Sequence, residues 1–141
     1  MTIDTTFLRR CIDTLERAMD EIVIHGTTED SLYDIYRAAC VKEFELVLEQ
    51  SGKLLRKRLA NFFASNRQAD RLAFKDLFRH AAKHGLIETD AAERWLRYRD
   101  NRNDTAHNYG EDFAEDTLKL LPSFVADARA LADMIESVDD G

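Results

Sequence analysis

Apolar residues recur along this chain at three- and four-residue steps. Nowhere does a run of β-branched residues alternate apolar with polar for long enough to promise a sheet. With 5 Gly and 1 Pro in 141 residues, that periodicity points to an all-α fold, because nothing interrupts helix propensity for long. Phe7, Leu8, Cys11, Ile12, Leu15, Met19, Ile22 and Val23 form one stripe, which predicts a first helix from about Thr5 to His25 stopped by Gly26. Thr27 or Thr28 caps a long second helix, with Glu29 and Asp30 at the positive end of its dipole. Leu32, Ile35, Tyr36, Ala39, Cys40, Phe44, Val47 and Leu48 are its core face, with Tyr33 in the core or at its rim. The pattern runs on through Leu54, Leu55, Leu59 and Phe62 despite Gly52, which can mark a bend.

Ser65 to Arg71 is polar and reads as a connection. Phe74, Leu77, Phe78 and Ala81 then form a short helix ending at Gly85, a left-handed C-cap on which Leu86 and Ile87 pack. Thr89 or Asp90 caps the next helix, which carries Ala92, Trp95 and Leu96 towards a polar cluster and a stop or bend at Gly110. The last helix, from about Asp112 to Val138, buries Phe113, Leu118, Leu121, Phe124, Val125, Leu131, Met134 and Ile135, and Pro122 kinks it or starts a second piece. Four long helices joined by short connections, plus the short one, predict an up-and-down four-helix bundle forming a single domain over residues 1–141.

The formal charge of -7 argues against indiscriminate binding to nucleic acid or acidic membranes. Its distribution is uneven: from Glu111 to Gly141 nine acids face only Lys119 and Arg129, so the rest of the chain is neutral overall. Two local basic groups survive, Lys53, Arg56, Lys57 and Arg58, and Arg94, Arg97, Arg99 and Arg102. The first fits an extension of an RNA path, a surface for an acidic partner or a plain solvated helix face. Cys11 and Cys40 fall where small buried residues belong, without metal-ligand spacing, and no signal peptide or membrane-length apolar run is visible. A reduced, cytoplasmic protein is the expectation. His80 and His84, four apart, lack a third metal ligand and suit a solvent-facing or capping role.

The stretch Arg102-Asn103-Asp104-Thr105-Ala106-His107-Asn108-Tyr109 reads as a site. It combines a permanent cation, a proton carrier that titrates near neutrality and a phenol, a set suited to work on a phosphodiester. On a helix turning about 100° per residue, positions 102 and 109 share a face while 107 lies about 140° round from 102. Either the helix ends near Ala106 and the chain turns back, or a second copy of the protein completes the site across a two-fold axis. In a metal-independent nuclease, a histidine takes the proton from an RNA 2′-hydroxyl and arginines hold the scissile phosphate. Asn103 and Asp104 then orient histidine or phosphate, Tyr109 stacks on a base or bonds a phosphate, and at least one of Arg94, Arg97 and Arg99, which approach the motif in sequence, faces the cleft, Arg99 being a candidate for phosphate binding. The alternative is structural: Arg102 pairs with Asp104 or Asp100, His107 caps a helix C-terminus and Tyr109 packs at the bundle end.

Trp95-Leu96 followed by Arg102-Asn103, His107 and Tyr109 resembles the Arg-Asn-x-x-x-His-x-Tyr signature of HEPN-domain proteins, most closely their nucleotidyltransferase substrate-binding and HepT-like branch. Phe44-Glu45-Leu46-Val47-Leu48-Glu49 and Phe78-Arg79 through Gly85-Leu86-Ile87 are similar to segments of that branch. The resemblance implies a helical bundle that dimerises with the motif at the interface, encoded beside a minimal nucleotidyltransferase with which it forms a toxin–antitoxin pair. It implies that Arg102 and His107 are the ribonuclease residues and Tyr109 the acceptor of AMP from the partner enzyme. It also covers members that are only substrate-binding partners of the nucleotidyltransferase. No cofactor is implied.

Overall fold

The computed structural model describes residues 3–26, 31–63, 66–107 and 111–137, with the backbone alone at 66, 69, 104–107, 111 and 112. Its elements are α1 (Thr6–His25), α2 (Ser31–Leu59), a 3-10 turn (Ala60–Phe62), α3 (Asn66–Asp70), α4 (Phe74–Lys83), α5 (Thr89–His107) and α6 (Glu111–Glu136). The expected caps at Thr27 or Thr28, the stop at Gly110 and Val138 lie outside the described residues. Every described element is helical, as the periodicity predicts.

Cross-helix pairs fix the directions. Arg9 on α1 bonds Asp133 and Glu136 on α6, and Arg94 on α5 bonds Asp127, so α1 and α5 both run antiparallel to α6. Tyr33 and Phe44 on α2 meet Glu115 and Phe124 on α6, so these two are parallel. The four long helices therefore alternate up and down, with α3 and α4 inserted between α2 and α5. Phe78 of α4 stacks on Trp95 of α5 at 4.7 Å, and Tyr98 and Phe124 meet the Trp95 ring edge-on; all four are buried. Stacked and edge-to-face rings stabilise a core beyond the area they bury.

Local signals explain the boundaries. Gly85 has φ 73°, Leu86 N–H donates to the Ala81 carbonyl at 2.9 Å and Gly85 N–H to that of Ala82 at 3.0 Å. That is the paired closure of a helix C-terminus by a left-handed glycine. Gly52 marks no break, since α2 continues through it. Instead a Cβ at that position would lie 2.8 Å from the Phe74 ring, so the glycine lets α4 pack onto α2. Pro122 sits inside α6, exposed, and starts no second piece. The segment expected as a connection before Arg71 holds the five-residue α3.

The buried stripes are narrower than the periodicity predicts. Leu8, Cys11, Ile12, Leu15 and Ala18 form the α1 seam, while Phe7 and Val23, each a 100° step to its side, are 53% and 81% exposed. On α2, Tyr33 rather than Leu32 or Ile35 enters the core for the same reason. Cys11 and Cys40 are free and buried, and burial pushes the Cys40 thiol up to about 12, which keeps it a neutral packing residue.

The α1–α6 clamp carries a pH dependence. Arg9 bonds both Asp133 and Glu136, and Thr5 also donates to Glu136. The Arg9 hydrogen bonds first, then Thr5, hold the Glu136 carboxyl down at about 2 against an ordinary 4.5. A depressed carboxyl binds fewer protons folded than unfolded, so its contribution is present above about pH 4.5 and fades as pH falls towards 2. Glu136→Gln should melt below wild type near neutrality, and thermal melts across pH should show the gap closing at acid pH. A gap that persists at the acid end means the clamp acts without charge.

Candidate functional site

The motif lies at the C-terminal end of α5, and the packing of that helix decides which of its arginines is free. Arg94 is held: its Nε and Nη2 donate to the two Asp127 carboxylate oxygens at 2.8 Å each. The buried Tyr98 hydroxyl donates to the same carboxylate at 2.6 Å and meets Ser123 Oγ at 2.9 Å. Burial first, then Asp127, pushes the Tyr98 phenol up to about 12. Arg94 is thus a structural residue rather than one facing a cleft at the motif, and Arg97 simply points to solvent. Arg99, half-buried, lies 5.0 Å over the Phe74 ring and is held by a cation–π contact.

Arg102 differs from all of these. Its side chain is 27% exposed, and its Nε is buried without a hydrogen-bond partner. Its one described ionic neighbour is Glu49 on α2, an exposed carboxylate whose Oε1 lies 3.8 Å from Nη2, beyond hydrogen-bond reach. The structural alternative pairs Arg102 with Asp100 or Asp104. Asp100 instead pairs with Lys75 of α4 at 2.5 Å, because it points to the other side of α5; the Asp104 side chain lies outside the described residues. Arg102 therefore presents a guanidinium with unspent donors, the planar fork that suits a phosphate.

Hydrogen bonds cross-link the surroundings. Asn101 Nδ2 donates to Thr117 Oγ1 at 2.8 Å, whose hydroxyl donates to the Phe113 carbonyl, tying the end of α5 to the start of α6. Tyr33 and Arg37 on α2 both donate to Glu115, which holds its carboxyl below the usual range, the Tyr33 bond being the main cause. Three helix ends are thereby fixed around the motif. α5 stays helical through His107, so of the two alternatives the one in which the helix ends near Ala106 and turns His107 back is not seen, and positions 102 and 107 stand about 140° apart on one helix. Asn103 is exposed. The side chain of His107 and all of Tyr109 lie outside the described residues.

Elsewhere, His80 and His84 are engaged with rings, His84 stacked on Phe62 at 4.3 Å and His80 edge-on to Phe63 at 5.3 Å. Among the described residues no group of three or more His, Cys, Asp or Glu could hold a metal ion. The sequence assigns no role to Thr117, Tyr98 or Asp127, and it pairs neither Glu49 with Arg102 nor Arg94 with Asp127. Each acts across helices, so no local spacing could have flagged it.

Residues 4–137 match the family described as "Nucleotidyltransferase substrate binding protein like". A Haemophilus influenzae protein named "Probable ribonuclease HepT" is 28% identical over 102 residues, which cover 72% of this chain and 68% of the relative. Two solved structures share the fold. One is a Haemophilus influenzae protein described as revealing the fold of a substrate binding domain of a nucleotidyltransferase, with TM-score 0.81, 24% identity, and coverage of 94% of this chain and 98% of that one. The other, from Thermus thermophilus, has TM-score 0.62 and 24% identity, covering 86% of this chain and 98% of that one.

Proposed function

Since the chain belongs to the nucleotidyltransferase substrate-binding protein-like family, with a probable HepT ribonuclease among its relatives, we propose that it is a HEPN-type toxin: a metal-independent endoribonuclease, cytoplasmic and active as a homodimer. The observation that carries this reading is Arg102, whose buried Nε has no partner and whose only described ionic neighbour is an exposed carboxylate 3.8 Å from Nη2. A guanidinium left with free donors inside an Arg-Asn-x-x-x-His motif has the chemistry to hold a phosphodiester. No helix among the described residues is long and apolar enough to cross a membrane.

In this reading His107 accepts the proton of an RNA 2′-hydroxyl, and that oxygen attacks the adjacent phosphorus. The bond from phosphorus to the 5′-oxygen breaks, the leaving oxygen takes up a proton, and a 2′,3′-cyclic phosphate remains. Arg102 bonds a non-bridging oxygen and stabilises the charge that grows there, with Arg99, Asn103 and Asp104 bordering the strand. Because positions 102 and 107 diverge on one helix, the working pair is drawn from two copies related by a two-fold axis. A cognate minimal nucleotidyltransferase silences the toxin: the Tyr109 hydroxyl attacks the α-phosphorus of ATP and pyrophosphate leaves, so the cleft acquires bulk and negative charge. The description of the Haemophilus structure favours a second reading, a noncatalytic subunit that docks on a nucleotidyltransferase.

Labelled RNA incubated with purified protein in chelator tests the choice. Wild type should give cyclic phosphate ends, and His107→Ala should lower the rate by about 100-fold or more, the usual scale of one general acid–base group. A folded wild-type dimer that cleaves nothing and does not slow growth without its partner moves the assignment to the docking subunit.

A further inference from the structure

Charge is concentrated in one stretch of this acidic chain. Between Lys53 and His84 there are nine Lys and Arg but only Asp70 and Asp76. The fold gathers that stretch into one corner. Arg56 Nη2 donates to the Leu72 carbonyl at 2.7 Å, Phe74 packs over Gly52, and the 3-10 turn meets the end of α4 through the Phe62–His84 and Phe63–His80 ring contacts. Arg79 takes up Asp76 at 3.0 Å, which leaves Asp70 among the stretch's own acids, and Asp4 just before α1 comes within electrostatic reach of Lys57. Lys53, Lys57, Arg67 and Arg71 are exposed, and none of the four forms an ion pair among the described residues. Elsewhere Arg9, Arg37, Arg94 and Arg129 sit on carboxylates, while the exposed Arg10, Arg17, Lys42 and Arg97 are scattered over three helices.

The corner also adjoins the motif. Phe74, at its edge, carries on its ring Arg99, which lies one helical turn before Arg102. On α2, Lys53 follows Glu49 by one turn and Lys57 by two, a run of about 12 Å. Free cations in a line beside a phosphate-binding arginine make a track for a polyanion, since each phosphate they neutralise releases counterions. Phe62 is 40% exposed, stacks on the His84 ring and has the Arg58 guanidinium 5.9 Å from its ring centre, an aromatic and cationic setting that suits an unstacked base.

We infer that this corner is a single-stranded RNA track: Lys53, Lys57, Arg67 and Arg71 take backbone phosphates of a strand whose scissile phosphate lies at Arg102, and Phe62 receives a base. The inference rests on the ribonuclease reading for the register of the strand, while the binding itself is testable apart from cleavage.

The probe is a labelled 2′-O-methyl oligoribonucleotide, which lacks the attacking hydroxyl and stays intact, with binding followed by fluorescence anisotropy against salt. Replacing Lys53, Lys57, Arg67 and Arg71 together by Ala should weaken binding at least tenfold near 0.1 M salt and flatten the log–log salt slope by about 3, from about 0.7 per phosphate on a single strand. Replacing Arg10, Arg17, Lys42 and Lys119 by Ala removes the same charge elsewhere and should leave the slope unchanged. Phe62→Ala should cost about tenfold in affinity with no change of slope. Equal losses in the two quadruple variants, or no loss in the first, overturn the track. So does a corner variant that keeps RNA but loses the nucleotidyltransferase in a pull-down, which assigns the surface to an acidic protein. Wild type that binds the oligonucleotide through this corner yet cleaves no unmodified RNA removes the ribonuclease reading and leaves the track standing.

Discussion

Arg94→Ala is expected to lower stability by about 3 kcal/mol, which for a chain of this size is a drop in Tm of roughly 10 °C. Asp127 is 8% exposed and accepts two Arg94 bonds and one from Tyr98. Deleting the guanidinium leaves that carboxylate buried with a phenol as its only described donor, and an uncompensated buried charge is the most expensive way to break an ion pair. Arg94 itself is partly exposed, which places the expected loss at the low end of the range for buried pairs. Thermal melts of three proteins check the cause. Asp127→Asn in the Arg94→Ala background should recover part of the loss, because a neutral amide tolerates the site better than a carboxylate. Arg94→Met with Asp127→Leu should recover more, because an apolar pair of similar volume needs no donors. If neither second change helps, the loss comes from packing along the arginine stem rather than from the stranded charge.

The contrast between what periodicity reveals and what it hides is clear along α5. The helix, the Trp95 anchor and the Gly85 stop that precedes it follow from three- and four-residue spacing and from the positive φ that glycine adopts at position 85. The arginines do not sort themselves that way. Arg94, Arg97, Arg99 and Arg102 look equivalent in sequence, yet one is bonded to Asp127, one is solvated, one rests on Phe74 and one has a buried, unpartnered Nε. Their fates are set by residues on other helices, and spacing within a helix carries no information about those partners. The seam shows the same limit. Phe7, Val23 and Ile35 satisfy the helical period and still face solvent, because the period fixes a stripe's direction only to within a residue or so while its partner fixes its width. The motif's location at the end of α5 was legible, and so was the argument that 102 and 107 cannot converge on one helix. The loose Arg102–Glu49 pair was not.

Arg102→Lys is expected to reduce RNA cleavage by about 100-fold and Arg102→Ala by more, the scale of losing one charge-stabilising donor in a transition state. Lysine keeps the charge but replaces a planar fork with a point donor, so it cannot bond the developing oxyanion through two parallel N–H groups. Stability should change little, unlike in the Arg94 variants. Arg102 has a buried Nε with no acceptor and only a 3.8 Å contact to an exposed Glu49, so truncation removes an unsatisfied donor, and the main loss is packing along the stem of a side chain that is 27% exposed. Tm of Arg102→Ala should therefore stay within a few degrees of wild type. That pairing of a large catalytic loss with an unchanged fold is what separates a group kept for its ligand from one kept for its packing. A fall in Tm as large as that of Arg94→Ala makes Arg102 a structural arginine, and the proposed site loses its phosphate-binding group. Cleavage that survives in both variants removes Arg102 from the reaction and with it the observation on which the ribonuclease reading stands.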